Sequence, residues 1–390
     1  MRIGILTGKR GGFDAMLPLI KKLEKTDWAD LLVIVCDQHM MPLFGGTHKY
    51  VREKLDSETR ITYVTATAGN SRELRSYNCS KVMKDIAELC VDLDTLILYG
   101  DRGESLAAAQ AALIQGVRIV QLEAGEMTGT IDDPTRMAIT CLADYVFVPH
   151  LAALERTKSL THTTVSGDLH LDAYKDVATS IEAIAWVKAT KKDLYIAAKD
   201  RQTAIFLMHP MIEDYGDYTR LDTGTSAHKV ISTLVNHNYR ILAIYPCSDP
   251  GYEPIIEVIH TFEKRGEVMA FQNIPGRIFR RLLTDADLMV GNSSAGIKEA
   301  PFVKTISIDI GTRQKGRDRD CGVFPVKTHD IDPILTWLSK HELLSYDPWG
   351  TGPRAVLGKR TFPYGDGNAT DIVFTGLERI IKEGDYNGVD

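Results

Sequence analysis

Residues 288–300, LMVGNSSAGIKEA, decide how this chain folds. Leu288, Met289 and Val290 are apolar without interruption, as the end of a buried strand is. Gly291, Asn292, Ser293 and Ser294 then turn the chain into a helix that carries Glu299. Backbone N–H groups at such a helix start attract anions, and the two serine hydroxyls add donors. IGTRQKGR follows at residues 310–317, where the guanidinium forks of Arg313 and Arg317 can meet phosphate oxygens two at a time. The corner is suited to a diphosphate. An ordinary capped helix would use the same Asn and Ser, so the rest of the chain has to decide.

Outward from this corner, short apolar runs alternate with helical patterns. In the second half the strands are expected at 204–208, 240–245, 268–271, 288–290 and 305–309, with helices at 227–236, 252–264 and 333–344. In the first half they are expected at 2–7, 31–36, 61–65, 95–99, 117–122 and 145–148, with helices at 14–25, 71–90 and 105–114. After His150 a polar helical stretch separates the two sets. Near-continuous apolar strands of this kind belong to parallel sheets covered on both faces. The expected class is α/β, with two doubly wound Rossmann-like domains facing a cleft. The expected boundaries are 1–165 and 166–365, with 366–390 as a C-terminal helix packing back on the N-terminal domain. Ligands of such folds bind at the carboxyl ends of the strands.

A chain of 390 residues is long enough for two cores. Its 46 Lys and Arg against 52 Asp and Glu give a net charge of -6. Without a polybasic block, this argues against nucleic acid or an anionic membrane surface as the main partner. The six cysteines are scattered without a CxxC pair, as in a reduced, cytoplasmic protein. The opening MRIGILTGKRGG moves straight into a strand with no signal-peptide pattern, and no apolar run reaches the roughly 20 residues of a membrane helix.

Four further clusters sit after expected strands. TGKRGG, residues 7–12, is a glycine turn holding Lys9 and Arg10, without the spacing of a Walker loop. GDRGES, residues 100–105, places Asp101 and Arg102 behind the strand 95–99; Asp101 can be a chemical group or a helix cap. QLEAGEMTGTIDDPTR, residues 121–136, gathers Glu123, Glu126, Asp132 and Asp133 in one glycine-bearing loop ahead of a helix start at Pro134. Carboxylates so grouped suit acid/base work. The loop has neither the ligand alternation of a calcium site nor His and Cys at zinc spacing, so no metal is expected. MHP, residues 208–210, puts His209 at a strand end, where imidazole can change charge near neutral pH.

In order along the chain, TGKR, GDRGES, EAGEMTGTIDD followed by Arg136, MHP, GNSSAGIKE, GTRQKGR and YGDGNA at 364–369 resemble the UDP-N-acetylglucosamine 2-epimerase family. The resemblance points to its hydrolysing branch, which makes N-acetylmannosamine and UDP for sialic-acid-type sugars. It implies the two-domain glycosyltransferase-B arrangement, a UDP-sugar substrate, no cofactor, and a homodimer or homotetramer. The implied chemistry is elimination of UDP across C1 and C2 to a glycal, then addition of water. By motif position Asp101, Glu123 and Asp132 match the family's acid/base carboxylates and His209 its phosphate-facing histidine. Ser293, Ser294 and Glu299 match its diphosphate and ribose contacts, and Arg10, Arg102 and Arg313 its basic positions. Glu126 and Asn292, in the same loops, complete the implied binding set. Hydrolysing members usually carry His where this chain has Gln121, Met137, Asp144 and Val146, so the nucleotide motifs match more closely than the sugar-side ones. Two other readings stay open on the residues alone: a glycosyltransferase of the same fold, and a nucleotide-sugar sensor, which has less need of three partly desolvated carboxylates.

Overall fold

A computed structural model describes residues 1–64, 71–130, 132–190, 201–210, 223–249, 251–341 and 362–382. Residues 65, 342–344 and 383–390 of the expected elements lie outside them. The chain divides into two units, one formed by Met1–Lys175 with Tyr364–Asp390 and the other by Asp176–Pro363.

The first unit holds β1 (Arg2–Thr7), β2 (Asp30–Val35), β3 (Arg60–Tyr63), β4 (Thr95–Tyr99), β5 (Arg118–Leu122), β6 (Tyr145–Val148) and β7 (His162–Val165). They form one parallel sheet in the order β3-β2-β1-β4-β5-β6-β7. The apolar runs split by parity, because successive side chains of a strand point to opposite faces. Ile3, Ile5, Val33, Val35, Ile97, Val120 and Leu122 bury one face against Phe13, Met16, Leu19, Ile20 and Leu23 of the helix Arg10–Leu23. Val373, Leu377, Ile380 and Ile381 of the helix Ala369–Lys382 join that core. Leu6, Ile34, Leu96, Leu98, Ile119 and Val146 bury the other face with Val82 and Ile86 of the helix Arg72–Cys90 and the alanines of the helix Gly103–Gln115.

The return of the chain at Tyr364 is fastened by polar groups. Asp172 accepts the N–H of Ala369 at 2.9 Å and that of Thr370, so a carboxylate caps the start of the C-terminal helix, where the helix dipole favours negative charge. Asp168 N–H donates to the Tyr364 carbonyl at 2.9 Å.

The second unit holds β8 (Thr203–Leu207), β9 (Arg240–Ile244), β10 (Val268–Phe271), β11 (Leu288–Gly291), β12 (Ile306–Ile310) and β13 (Val323–Val326). Their order, β10-β9-β8-β11-β12-β13, is again parallel throughout and has the connectivity of a dinucleotide-binding sheet. In each unit the strand order reverses beside the first strand, at β1/β4 and at β8/β11. Gly291 is required at the second of these points. It sits at φ 149, and a Cβ there would lie 1.9 Å from the Leu207 carbonyl oxygen, so no other side chain lets β8 and β11 approach so closely.

The segment after His150 departs from the sequence expectation. It is not helical throughout: helices at Leu151–Thr157 and Ser180–Thr190 flank β7. His162, Thr163 and Thr164 hide that strand because it pairs only with β6 at the sheet edge, where few apolar residues are needed.

Candidate active site

In the first unit, β5 delivers Glu123 directly into a left-handed turn. Its φ is 58, followed by Gly125 at φ 72. A non-glycine residue in that region is strained by roughly 1–3 kcal/mol, and such strain collects at functional sites. The Glu123 carboxylate accepts the Leu169 N–H at 3.0 Å, and the residue is 6% exposed.

Arg136, on the helix Asp132–Leu142, organises the rest of the loop. Its side chain is buried; Nη1 donates to the Glu126 carbonyl at 2.7 Å and to Asp133 at 3.0 Å, and Nη2 donates to Asp101. Asp133 also accepts the Thr128 N–H and hydroxyl at 2.7 Å each and the Gly129 N–H at 2.6 Å. The neighbouring aspartates therefore differ. Asp133 is buried as the keystone of the loop, while Asp132 opens the helix half-buried.

Tyr99, at the end of β4, shows how closely the carboxylates gather. Its hydroxyl is pushed well above the ordinary tyrosine value by burial and then by the negative charges of Glu123, Asp168, Glu126 and Asp101. His150 stands at the same cluster. Its Nδ1 accepts the Ala153 N–H at 3.3 Å, so the neutral ring carries its proton on Nε2, 3.6 Å from Glu126.

Arg102 and Arg10 are already engaged within this unit. Arg102 donates from Nε to Glu104 and from Nη2 to Asp37, each at 2.6 Å. Arg10 stacks 4.1 Å over the Tyr50 ring with Nε 3.4 Å from Asp14. Beside them His39 is buried between Thr7 and Thr47, its Nε2 3.0 Å from the Thr7 hydroxyl and its Nδ1 2.7 Å from that of Thr47. Burial, with Arg10 adding to it, lowers the imidazole to about 3. Below about pH 6.5 the unfolded chain takes up a proton that the folded chain refuses. Stability should therefore fall with pH from there down toward pH 3, by at most about 1.4 kcal/mol per pH unit from this group. Melting temperatures taken between about pH 7 and 5 should fall more steeply for the parent than for His39→Gln; equal slopes would remove His39 from the account.

In the second unit His209 leaves β8 and Asn292 leaves β11, and they clasp each other. The His209 N–H donates to the Asn292 side chain at 2.7 Å, and the Asn292 amide donates back to the His209 carbonyl at 3.0 Å. The side chain of Asn292 thus positions His209. Cys247 N–H donates to His209 Nδ1 at 3.0 Å, which sets the neutral ring with its proton on Nε2. Ser293 and Ser294 lead into the helix Ala295–Phe302, which buries Lys298 and Glu299. The Asn292 carbonyl accepts from Gln314 at 2.9 Å and from Arg313 at 3.4 Å, while Arg313 Nη2 lies 3.9 Å from Asp249. Arg319 donates twice to the buried Asp309, at 2.8 and 3.2 Å. Burial raises the Asp309 carboxyl, against the opposing pull of Arg319, Arg317 and Arg313. Cationic groups and a helix start thus share one strand edge, an arrangement suited to an anion.

A family model described as UDP-N-acetylglucosamine 2-epimerase matches residues 21–378. The chain belongs to this family. A UDP-N,N'-diacetylbacillosamine 2-epimerase (hydrolyzing) of Legionella pneumophila is 26% identical over 97% of this chain and 96% of its own length. A UDP-N-acetylglucosamine 2-epimerase of Neisseria meningitidis is 28% identical over 81% of each chain. A crystal structure of the Neisseria meningitidis UDP-GlcNAc 2-epimerase bound to UDP-GlcNAc has the same fold, with a TM-score of 0.73 at 16% identity, covering 97% of this chain and 100% of that one.

Three of the four positions where the resemblance leads one to expect histidine hold residues with structural contacts. Gln121, fully buried, donates to the Gly100 and Arg136 carbonyls at 2.9 and 3.3 Å and accepts the Thr140 hydroxyl at 2.7 Å. Asp144 accepts the Ile119 N–H at 2.8 Å at the start of β5, and Val146 packs in the core.

Proposed function

We propose that this protein is a hydrolysing 2-epimerase of UDP-linked 2-acetamido sugars, converting UDP-N-acetylglucosamine or a 2,4-diacetamido relative to the 2-epimeric free sugar and UDP. The observation that carries the reading is Glu123, held in a strained turn inside a cluster of carboxylates. The C2 proton of a sugar is weakly acidic, and its removal needs a positioned, partly desolvated base. Glu123 takes that proton while the C1–O bond breaks, and UDP leaves with the electron pair. Asp101 and Asp132 complete the acid/base set, and Arg136 fixes Asp101. By itself, the second unit's group of Arg313, His209 and the N–H groups at Ser293 and Ser294 is of the kind that stabilises diphosphate charge. Water then adds across the glycal, hydroxyl to C1 and proton to C2. Family membership favours elimination over glycosyl transfer, and the name of the Legionella relative supports a diacetamido substrate.

Arg313→Ala tests the nucleotide half. Arg313 donates to the Asn292 carbonyl at 3.4 Å and lies 3.9 Å from Asp249, beside the start of the helix that follows β11. Loss of a charge-assisted hydrogen bond worth about 1.5–3 kcal/mol should weaken UDP binding by roughly 10- to 100-fold in calorimetry, with stability close to the parent's. Unchanged affinity would remove Arg313 from the site. The substrate is tested by UDP release from UDP-N-acetylglucosamine and from its diacetamido counterpart: kcat/KM favouring one identifies it, and release from neither contradicts the reading.

A further inference from the structure

The backbone amide that meets Glu123 belongs to a tightly tied turn, residues 166–172. The Leu169 N–H donates to Glu123 Oε1 at 3.0 Å, across 46 positions of sequence. Asp168 precedes it as a helix cap: its wholly buried carboxylate accepts the His170 N–H at 2.8 Å and lies 2.9 Å from His170 Nδ1. That nitrogen carries the ring proton, and the Tyr99 hydroxyl stands 3.0 Å from it. The cap thus satisfies the second N–H of the turn and leaves the first, an orphan donor of any helix start, to Glu123. The returning chain holds the turn in place. The Asp168 N–H donates to the Tyr364 carbonyl at 2.9 Å, and Asp172 accepts the Ala369 N–H at 2.9 Å and that of Thr370. Leu169 and Leu171, each 1% exposed, anchor the turn in the interior.

On the epimerase reading, on which this inference rests, we propose that the Leu169 N–H is the donor that orients Glu123 and keeps it ionised for removal of the C2 proton. Burial and neighbouring negative charge favour the neutral carboxyl, which cannot act as a base. Glu123 is 6% exposed and shares its surroundings with Glu126, Asp101 and Asp168. A hydrogen bond to the charged form opposes both effects, and a backbone amide supplies that bond without titrating itself. Because the turn is fixed by its cap and by the returning chain, the donor is in place before substrate arrives. Leu169 is a positioning residue that acts through its main chain on Glu123, and Asp168 and residues 364–370 keep the amide aimed.

The other titratable and charged groups around Glu123 come from several elements. Tyr99 and Asp101 lie at the end of β4, and Arg136 donates to Asp101 from the helix Asp132–Leu142. His150 lies 3.6 Å from Glu126, and Arg156 donates to the Gly125 carbonyl at 2.9 Å. The turn itself adds Asp168, His170 and Asp172. Elements packed against the turn carry further charges. Arg10 faces Asp14 at 3.4 Å, Lys21 pairs with Glu24 and Asp56 at 2.7 Å each, Lys22 pairs with Asp371, and Lys382 pairs with Glu378 at 2.8 Å. Lys175 donates to Asn368 at 3.0 Å, and Arg379 lies on the C-terminal helix. All of these groups are common to any two variants at Leu169, so they cancel when such variants are compared.

The test compares Leu169→Pro with Leu169→Ala in the full chain. Both lose the leucine side chain, and only the proline variant loses the N–H. Proline is accepted at the first position of a helix, and the backbone of Asp168, at φ -88 and ψ 122, suits the residue that precedes it. The substrate is UDP-N-acetylglucosamine or its diacetamido counterpart, whichever the parent turns over. The acid limb of kcat/KM reports ionisation of the base. In Leu169→Pro it should move up by about 1–2 pH units, the effect of losing one hydrogen bond to a charged group. Leu169→Ala should keep the parent's limb at whatever rate it turns over. A folded Leu169→Pro whose limb coincides with that of Leu169→Ala overturns the proposal. A second measurement needs neither substrate nor the proline variant. In protein carrying isotope-labelled leucine, the Leu169 amide proton is recognised by NMR from its absence in Leu169→Ala. It should lie further downfield in the parent than in Glu123→Gln, because a carboxylate is the stronger acceptor. An amide at the same position in both overturns the proposal even if the enzyme turns over; a shifted amide in a parent that releases UDP from neither sugar refutes the substrate reading and leaves the hold on Glu123 standing.

Discussion

Glu123→Gln should lower kcat by about 10²–10⁴, the scale of lost general-base catalysis, while UDP affinity changes by less than about threefold. The two effects separate because of where Glu123 sits. Its carboxylate meets the Leu169 N–H, a bond that the glutamine carbonyl oxygen can keep. The left-handed backbone at φ 58 costs Gln about what it costs Glu, so the turn should survive. What disappears is the ability to accept the C2 proton. The proposed nucleotide contacts, at residues 209 and 292–313, belong to the second unit, which is why affinity is expected to hold. Steady-state kinetics with calorimetry on one preparation reads both quantities; turnover within tenfold of the parent would remove Glu123 from the role of base.

The second large effect falls on a residue that never meets the substrate in this account. Arg136→Met should destabilise the first unit by about 3–5 kcal/mol, as expected when one partner of a buried ion pair is removed and the other stays. Methionine replaces much of the volume but none of the donors. Asp133 keeps its bonds from Thr128 and Gly129 but loses its countercharge, and Asp101 and the Glu126 carbonyl each lose a donor. Arg136→Lys should restore part of the stability and little of the activity, because a point charge cannot bridge three acceptors as a planar fork does. Hydrogen exchange of the β4 and β5 amides, which the loop adjoins, would report the loss; protection equal to the parent's in Arg136→Met would show that the loop is held by other means.

The sequence makes the interior of both sheets readable because those strands are buried on two faces and so are apolar without a break. The edges are not readable by the same signal. β7 is three polar residues and a valine, and β13 contains Pro325; each pairs with a single neighbour, and an edge strand tolerates both features. The helix Gly276–Asp285 is masked in the same way by three arginines. At the site, carboxylates and glycines after strands mark which loops matter. They do not rank the residues within a loop: Asp132 and Asp133 look alike until Asp133 is found holding Thr128 and Gly129, and the motif that includes Arg136 does not show that its side chain is buried. The Tyr99–His170–Asp168 contact joins residues about seventy positions apart, with no local pattern to announce it. Gln121 shows the converse, a substitution at a motif position that makes sense only through its three buried hydrogen bonds.

The most direct test is proton NMR of the purified protein with a UDP-sugar substrate in deuterated water and no acceptor. The account predicts free UDP together with a 2-epimeric sugar that carries deuterium at C2, since the C2–H bond must break and re-form with a solvent proton. UDP released alongside a sugar with its original configuration and its C2 proton intact would show simple hydrolysis or transfer to water, and would contradict it.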